Sequence, residues 1–250
     1  MPTAFPILRA AALGTMLALC VALPAFADWN GRGEAGAVIA SGNTETKAFN
    51  AKLALNHKVD PWSQQLGLTG VYASNAIGTT AQRWEALAQT KYEFNPNNFT
   101  FGGLRYESDK FSGFRYQGTV SAGVGHIFSD TDDYLLTAQI GAGYKFFEKR
   151  AAYSRLGVLL RPDEKDTALA GIANVDFRKQ LTATTSVTNR LTAEYTAENT
   201  FLQNELALQV KMSDKLALAL GYAVRYNTDP PPTFGNSDTL TTANIVYEVK

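Results

Sequence analysis

The sequence predicts an all-β fold, a transmembrane antiparallel up-and-down barrel of about twelve strands. Three observations predict it. Apolar residues recur with period two from about residue 30 to the end. The alternating segments run to eleven to fourteen residues, about twice the usual soluble strand of roughly 5–6. The connections between them fall alternately into short polar turns and a second set that includes longer pieces.

The chain opens on a different pattern. Arg9 and the amino terminus give a weak positive region, Ala10 to Leu23 form an apolar run, and Ala25-Phe26-Ala27 follows with small side chains at its ends. That order reads as a secretory signal peptide over residues 1–27, cut ahead of Asp28. The run is too short for a spanning helix, which needs roughly 20 residues. A lipoprotein reading would modify Cys20, but the bulky Leu19 before it argues against such processing. Residues 28–250 then form the barrel domain. Cys20, the one cysteine, leaves with the signal, so a disulfide-stapled secreted domain is excluded. Arg9 leaves too, and 22 basic against 23 acidic residues give no electrostatic reason to expect nucleic acid as a partner. No later segment is apolar for eighteen residues, so a membrane form must be a closed barrel, in which every backbone group finds a partner.

Alternation places strands at about 30–40, 46–58, 63–75, 82–94, 99–109 and 114–128, then 134–147, 167–179, 183–196, 200–212, 216–228 and 238–249. The segment from Leu216 to Tyr226 shows it best: Leu216, Leu218, Leu220, Tyr222 and Val224 alternate with Ala217, Ala219, Gly221, Ala223 and Arg225. Residues 148–166 hold room for extra strand at their start. Asp60-Pro61, Asn95 to Asn98, Ser129 to Asp133, Gln180-Leu181 and Ser213-Asp214 make the short turns; Glu148–Asp166 and Thr228–Ser237 are the long connections. Outer-membrane barrels have short periplasmic turns and longer outer loops, and an even strand count puts both termini on the short-turn side. Trp62, Trp84, Tyr92, Phe94, Phe99, Phe101, Phe128, Tyr134, Phe146 and Tyr247 lie at or near strand ends, as two interfacial girdles require. The last strand ends on Val249-Lys250, one lysine past its apolar set, where such barrels usually finish on an aromatic residue.

The polar phase of these strands is the expected lumen lining: Lys52, Glu85, Lys91, Arg115, Asp176, Arg178, Arg190, Glu194, Glu205, Lys211 and Arg225, with Arg83, Glu93 and many Thr, Gln, Gly and Ala. Mixed signs suit cross-strand ion pairs filling a narrow interior; the small residues leave room for water and a constriction that selects small polar solutes. Gly31-Arg32-Gly33-Glu34-Ala35-Gly36 spells the dinucleotide fingerprint, but no strand precedes it and no helix follows, so no cofactor is expected. His57 and His126 fall on the apolar phase near strand ends and make no metal site. Ser121 lies on the face opposite His126 and Ser129 lies in a turn, so no catalytic residue is assigned. Asp130, Asp132 and Asp133 read as a solvated turn.

Trp29-Asn30-Gly31-Arg32-Gly33-Glu34-Ala35-Gly36, then Ser41-Gly42-Asn43-Thr44-Glu45-Thr46, resembles the salt-induced outer-membrane proteins (YdiY-like, domain-of-unknown-function family 481). Arg105-Tyr106-Glu107-Ser108-Asp109-Lys110-Phe111-Ser112-Gly113, with Arg115-Tyr116, Gly123-Val124-Gly125 and Gly141-Ala142-Gly143-Tyr144, continues the resemblance over roughly residues 29–146. It implies a Gram-negative outer-membrane barrel and expression tied to salt or envelope stress, and it brings no substrate or catalytic residue. Three functions follow as expectations: a narrow passive channel for small hydrophilic solutes or ions; a closed structural or binding barrel acting through its outer loops; and, less favoured, a lipid-modifying enzyme. The expected partners are outer-membrane lipid and lipopolysaccharide, with periplasmic chaperones and the barrel-assembly machinery during biogenesis.

Overall fold

The computed structural model describes residues 29–40, 46–153, 156–230 and 235–249. The expected signal peptide, the Ser41–Glu45 turn, Pro231-Pro232 and Lys250 lie outside them. Fourteen strands follow in chain order: β1 (Trp29–Ala40), β2 (Thr46–Val59), β3 (Trp62–Asn75), β4 (Gly78–Asn95), β5 (Asn98–Asp109), β6 (Phe114–Asp130), β7 (Tyr134–Lys149), β8 (Ala152–Tyr153), β9 (Leu159–Arg161), β10 (Glu164–Gln180), β11 (Thr185–Tyr195), β12 (Thr200–Lys211), β13 (Leu216–Asn227) and β14 (Ser237–Val249). Twelve of them close an antiparallel ring in which each strand pairs with its neighbour in sequence, β10 following β7, and β14 returns to β1. The short β8 and β9 form a separate hairpin between β7 and β10, within the stretch the sequence left open. Most of the other strands extend the expected bounds by one to five residues, most at β4, whereas β11, β12 and β13 fall short of them by one to three. The pairing of β4 with β3 runs on past a register shift to Asn75↔Gly78, turned by Asn75 Oδ1 accepting from the Ile77 and Gly78 amides.

Alternation sorts the side chains onto two surfaces. Leu68, Val120, Ile140, Leu169, Leu220 and Ile245 point outward and stay exposed, an apolar belt without a protein partner. The outward rings gather in two rows. Trp84, Tyr106, Tyr116 and Phe146 follow one another across β4 to β7 near the loop ends, with centroids 5.2, 5.9 and 6.5 Å apart. Near the turn ends, Trp29 stacks on His57 at 5.1 Å, Trp62 meets Tyr92 at 4.9 Å, and Tyr134 meets Phe177 at 5.6 Å. On β4 the rows stand about 27 Å apart along the strand, which after tilt suits the roughly 25 Å apolar band of an outer-membrane barrel. Asn189 and Asn204 interrupt this belt. Their amides hydrogen-bond each other at 3.1 Å in both directions, so neither is left bare toward lipid.

Two of the expected girdle residues face inward instead. Phe99 and Phe101 share the phase of Gly103 and Arg105 on β5 and are almost wholly buried in the lumen. They lie against Gly125 and Gly123 of β6; a Cβ added to either glycine would run into the ring opposite it. These interior glycines therefore hold rings rather than water, contrary to the spacious face read from the sequence. Gly125→Val is expected to lower stability by about 1–3 kcal/mol through overpacking against Phe99, read as a lower urea midpoint at unchanged m-value for the detergent-refolded barrel. An unshifted midpoint would place Phe99 elsewhere.

Candidate functional site

The loop-side part of the lumen holds a charged cluster built from seven strands. Glu107 of β5 is 1% exposed and accepts from Arg225 Nη2 of β13 through both carboxylate oxygens, at 2.7 and 2.6 Å. Arg105, two residues before Glu107 on the same inward face, also donates to it, at 2.5 Å. Arg105 also holds Glu85 of β4 at 2.7 Å and Glu194 of β11 at 3.3 Å. Lys145 of β7 reaches the other Glu194 oxygen at 3.1 Å, and Thr119 of β6 donates to that oxygen at 3.4 Å. Phe201 of β12 sits among the cations: the Arg105 and Arg225 guanidinium carbons stand 5.1 Å from its ring centroid and Lys145 Nζ 6.0 Å. Three cations thus meet three carboxylates around one aromatic ring. Arg225 reaches a fourth, Asp109, at 3.6 Å, and Arg83 lies across the β4–β5 pairing from Asp109, so opposite charges are matched within the cluster.

β5 and β13 are six strands apart whichever way the ring is followed, so the Arg225–Glu107 pair joins opposite walls. Twelve strands closing a round barrel at a ~40° tilt leave roughly 24 Å between opposite backbones. An arginine and a glutamate end to end reach only about 15 Å by standard bond lengths. The cross-section is therefore pinched between β5 and β13, and the pair lies across the bore.

Below the pinch lies a cavity of about 560 Å³. Lys52 and Glu205 pair across it at 3.3 Å, and Arg190 binds Asp176 at 2.5 Å on neighbouring strands. Toward the turn side, Arg32 bridges Glu34 at 2.9 Å and Glu248 at 3.0 Å, and Gln209 donates to the same Glu248.

Of the residues expected to line the lumen, Lys52, Glu85, Asp176, Arg178, Arg190, Glu194 and Glu205 border this cavity. Arg178 also donates to the Thr131 carbonyl at the turn side. Arg225 lies above the cavity in the cluster, and Lys91 sits over the Phe99 ring at 4.6 Å. Lys211 is on the inward phase opposite Ala217 but exposed at the turn-side rim. Arg115 requires correction. The β6–β7 register slips between Phe114 and Tyr116, which takes Arg115 out of alternation. It points to the loop rim, binding Glu148 at 2.8 Å and Asp163 at 3.5 Å, and does not border the cavity. The reading missed Arg105, Glu107, Lys145 and Phe201, the centre of the cluster. Phase alone would have placed all four inward, but β5 alternates poorly and a phenylalanine does not suggest a polar lumen.

Both histidines pack against aromatic rings. His126 Nδ1 lies 2.8 Å from Asn98 Oδ1, and its ring packs edge-on against Phe128 at 4.7 Å. His57 is buried under Trp29. Among the described residues no three His, Cys, Asp or Glu side chains converge as metal ligands.

The chain matches known proteins over most of its length. The model of the family described as "Protein of unknown function, DUF481" matches residues 33–249. The "Uncharacterized protein YdiY" of Escherichia coli (strain K12) is 21% identical over 222 residues, 88% of this chain and 83% of that one. The COG4313 outer membrane channel from Pseudomonas putida F1 superposes with a TM-score of 0.50 at 11% identity, covering 88% of this chain and 95% of that one. The translocator domain of the autotransporter NalP from Neisseria meningitidis gives 0.48 at 12% identity, covering 88% and 86%. At these identities the likeness to the channel shows the fold, a membrane β-barrel of outer-membrane type.

Removing Glu107 would leave Arg225 buried without its main partner. Glu107→Ala is expected to cost about 3–5 kcal/mol, whereas Glu107→Leu combined with Arg225→Met is expected to be near neutral. Urea titrations of the folded barrel measure both. A Glu107→Ala loss no greater than that of the double variant would mean that the pair is not formed.

Proposed function

The chain belongs to the DUF481 family, and on that footing we propose that it is an outer-membrane channel of narrow bore for small polar solutes or ions. Its conductance is limited by the cluster around Phe201. In this reading the chain is exported by cleavage ahead of Asp28, inserted by the barrel-assembly machinery, and made under salt or envelope stress.

One observation carries the proposal: the Arg225–Glu107 pair spans the bore above a polar cavity bordered by groups of both signs. Pairs of buried charges that join opposite walls add little stability over apolar residues of similar size. A purely structural barrel gains little from them. A channel does gain: rings of charged side chains at a constriction set which ions enter and how quickly. Arg105, Glu107, Glu194, Lys145 and Arg225 would be the selecting groups, and Lys52, Glu205, Arg190 and Asp176 the sites below them.

Single-channel recording in planar bilayers tests this. The wild-type chain is expected to give small, reproducible steps, and the paired substitution Glu107→Ala/Arg225→Ala steps about threefold larger or more, with changed ion selectivity. Silence from both, in protein whose heat-dependent electrophoretic shift shows it folded, would instead make the barrel a closed scaffold working through its outer connections.

A further inference from the structure

The ring is not sealed equally all round. β1 pairs with β2 along its whole length, from Trp29↔His57 to Ala40↔Thr46. β14 pairs with β13 from Tyr247↔Leu216 to Ser237↔Tyr226. Between β1 and β14, among the described residues, the ladder runs only from Gly31↔Val249 to Ala35↔Ile245. At the same register Gly36 would face Asn244 and Val38 would face Thr242. Both stretches remain strand, each held by its other neighbour and not by the other. The backbone N–H and C=O groups that these stretches turn toward each other lack a ladder partner, a costly state in hydrocarbon.

Side chains take over where the ladder stops. Asn50 of β2 donates to Asn244 Oδ1 of β14 at 2.8 Å, and Asn244 donates to Glu34 of β1 at 3.2 Å. The two asparagines meet over Gly36, where a Cβ would run into both amide oxygens and into the Ala243 carbonyl oxygen, so β1 and β14 stay in contact there. The seam is thus zipped by backbone on the turn side, latched by Asn244, and unzipped toward the loops.

Each side of this seam offers a different solvent. Outside lies an apolar groove of about 1250 Å³, with Ala35, Ala37, Gly70 and Ala243 on its floor and Phe49 and Trp84 along one wall. Inside lies the polar cavity of about 560 Å³. Asn50, Val71, Arg83 and Asn244 border both. Val38, on the inward phase beside the gap, is 60% exposed. Among the described residues no carboxylate lies within ion-pair distance of Arg83, which Glu107, Glu85 and Asp109 attract from farther off; the other arginines near the seam, Arg32 and Arg225, are bonded directly. A pinched bore above, a seam without ladder bonds beside it, apolar space outside and an arginine with no carboxylate bonded to it within suit one kind of molecule.

We propose that the loop-side half of the β1–β14 seam is a lateral portal for a single-chain amphiphile with a small anionic head, a long-chain carboxylate. The chain lies in the groove against Ala35, Gly70 and Trp84. The carboxylate enters loop-side of that latch, between Val38 and Thr242, accepts from the seam amides that lack a ladder partner and meets Arg83. The ligand comes from the lipid phase as a simple acyl anion. This route is independent of conduction along the axis.

A seam lock tests it. The full chain carrying Cys20→Ser, Val38→Cys and Thr242→Cys is refolded in detergent and titrated with 11-(dansylamino)undecanoic acid, followed by energy transfer from tryptophan. Saturable binding is expected in the reduced state, about tenfold weaker after oxidation closes the seam, and restored by dithiothreitol. In the unlocked chain Arg83→Gln is expected to weaken binding about tenfold, and the methyl ester of the probe to bind comparably poorly. Because one polypeptide supplies both redox states, a folding defect cannot imitate the result. Equal binding with the seam locked and open, equal binding of ester and acid, or no saturable binding would each overturn the portal. Displacement of the probe by dodecyl phosphate about tenfold better than by laurate would overturn the carboxylate assignment.

Discussion

The hydrogen-bonded ion pair between Arg225 and Glu107 constrains the rest of the structure more than any other single interaction. It ties walls six strands apart in the ring, at a separation well below the diameter a round twelve-stranded barrel would have. Once that tie is drawn, other features follow. Charges brought so close to the axis need partners, and Arg105, Glu85, Glu194 and Lys145 converge to supply them. The space between them is filled by Phe201, whose ring face takes the cations. Bringing the walls together on one diameter also reshapes the lumen below into a cavity rather than an open tube.

The lumen is therefore layered. A charged cluster lies toward the loops, a polar cavity occupies the middle, and the turn side carries Arg32, Glu248 and Gln209 on one wall with Phe99 and Phe101 on the other. Charges of opposite sign alternate through these layers, so no level presents a large uncompensated field. Such balance is what a low-dielectric interior demands, and it favours a bore that admits small polar solutes slowly over one that attracts ions of one sign. The seam adds a second direction. The β1–β14 ladder stops after Ala35↔Ile245, which places the proposed portal in the side of the wall rather than along the bore.

The barrel itself was legible in the sequence because one physical demand repeats along every strand. A surface facing lipid must be apolar and the face behind it need not be, so a period of two survives even where identities drift. Leu216 to Tyr226 shows this plainly, and the observed strand is Leu216–Asn227. Side-chain placement failed where the alternation breaks. Arg115 left its phase at a register slip that leaves no mark in the local sequence. Phe99 and Phe101 were read as interfacial because they are aromatic and near a strand end; only the glycines across from them, in a different strand, reveal that their rings point inward. The Arg225–Glu107 tie was out of reach for a more basic reason. Its partners lie 118 residues apart, and which inward residues meet across a lumen depends on shear, which alternation does not encode. The gap in the seam ladder was hidden likewise, since β1 and β14 each alternate normally up to and beyond the point where their pairing stops.

The central claim is that the bore is narrowed on its loop side by the Arg225–Glu107 tie and the cluster around it. The most direct measurement is the rate at which a charged, membrane-impermeant methanethiosulfonate reagent added on the loop side modifies Asn174→Cys, a cavity position, in a Cys20→Ser background within oriented vesicles. The account predicts slow modification in the otherwise wild-type barrel and a rate about tenfold higher or more once Glu107 and Arg225 are both alanine, as expected when an electrostatic constriction is removed. Rapid modification with the pair intact, unchanged by its removal, would contradict it and leave the lumen open from the loop side.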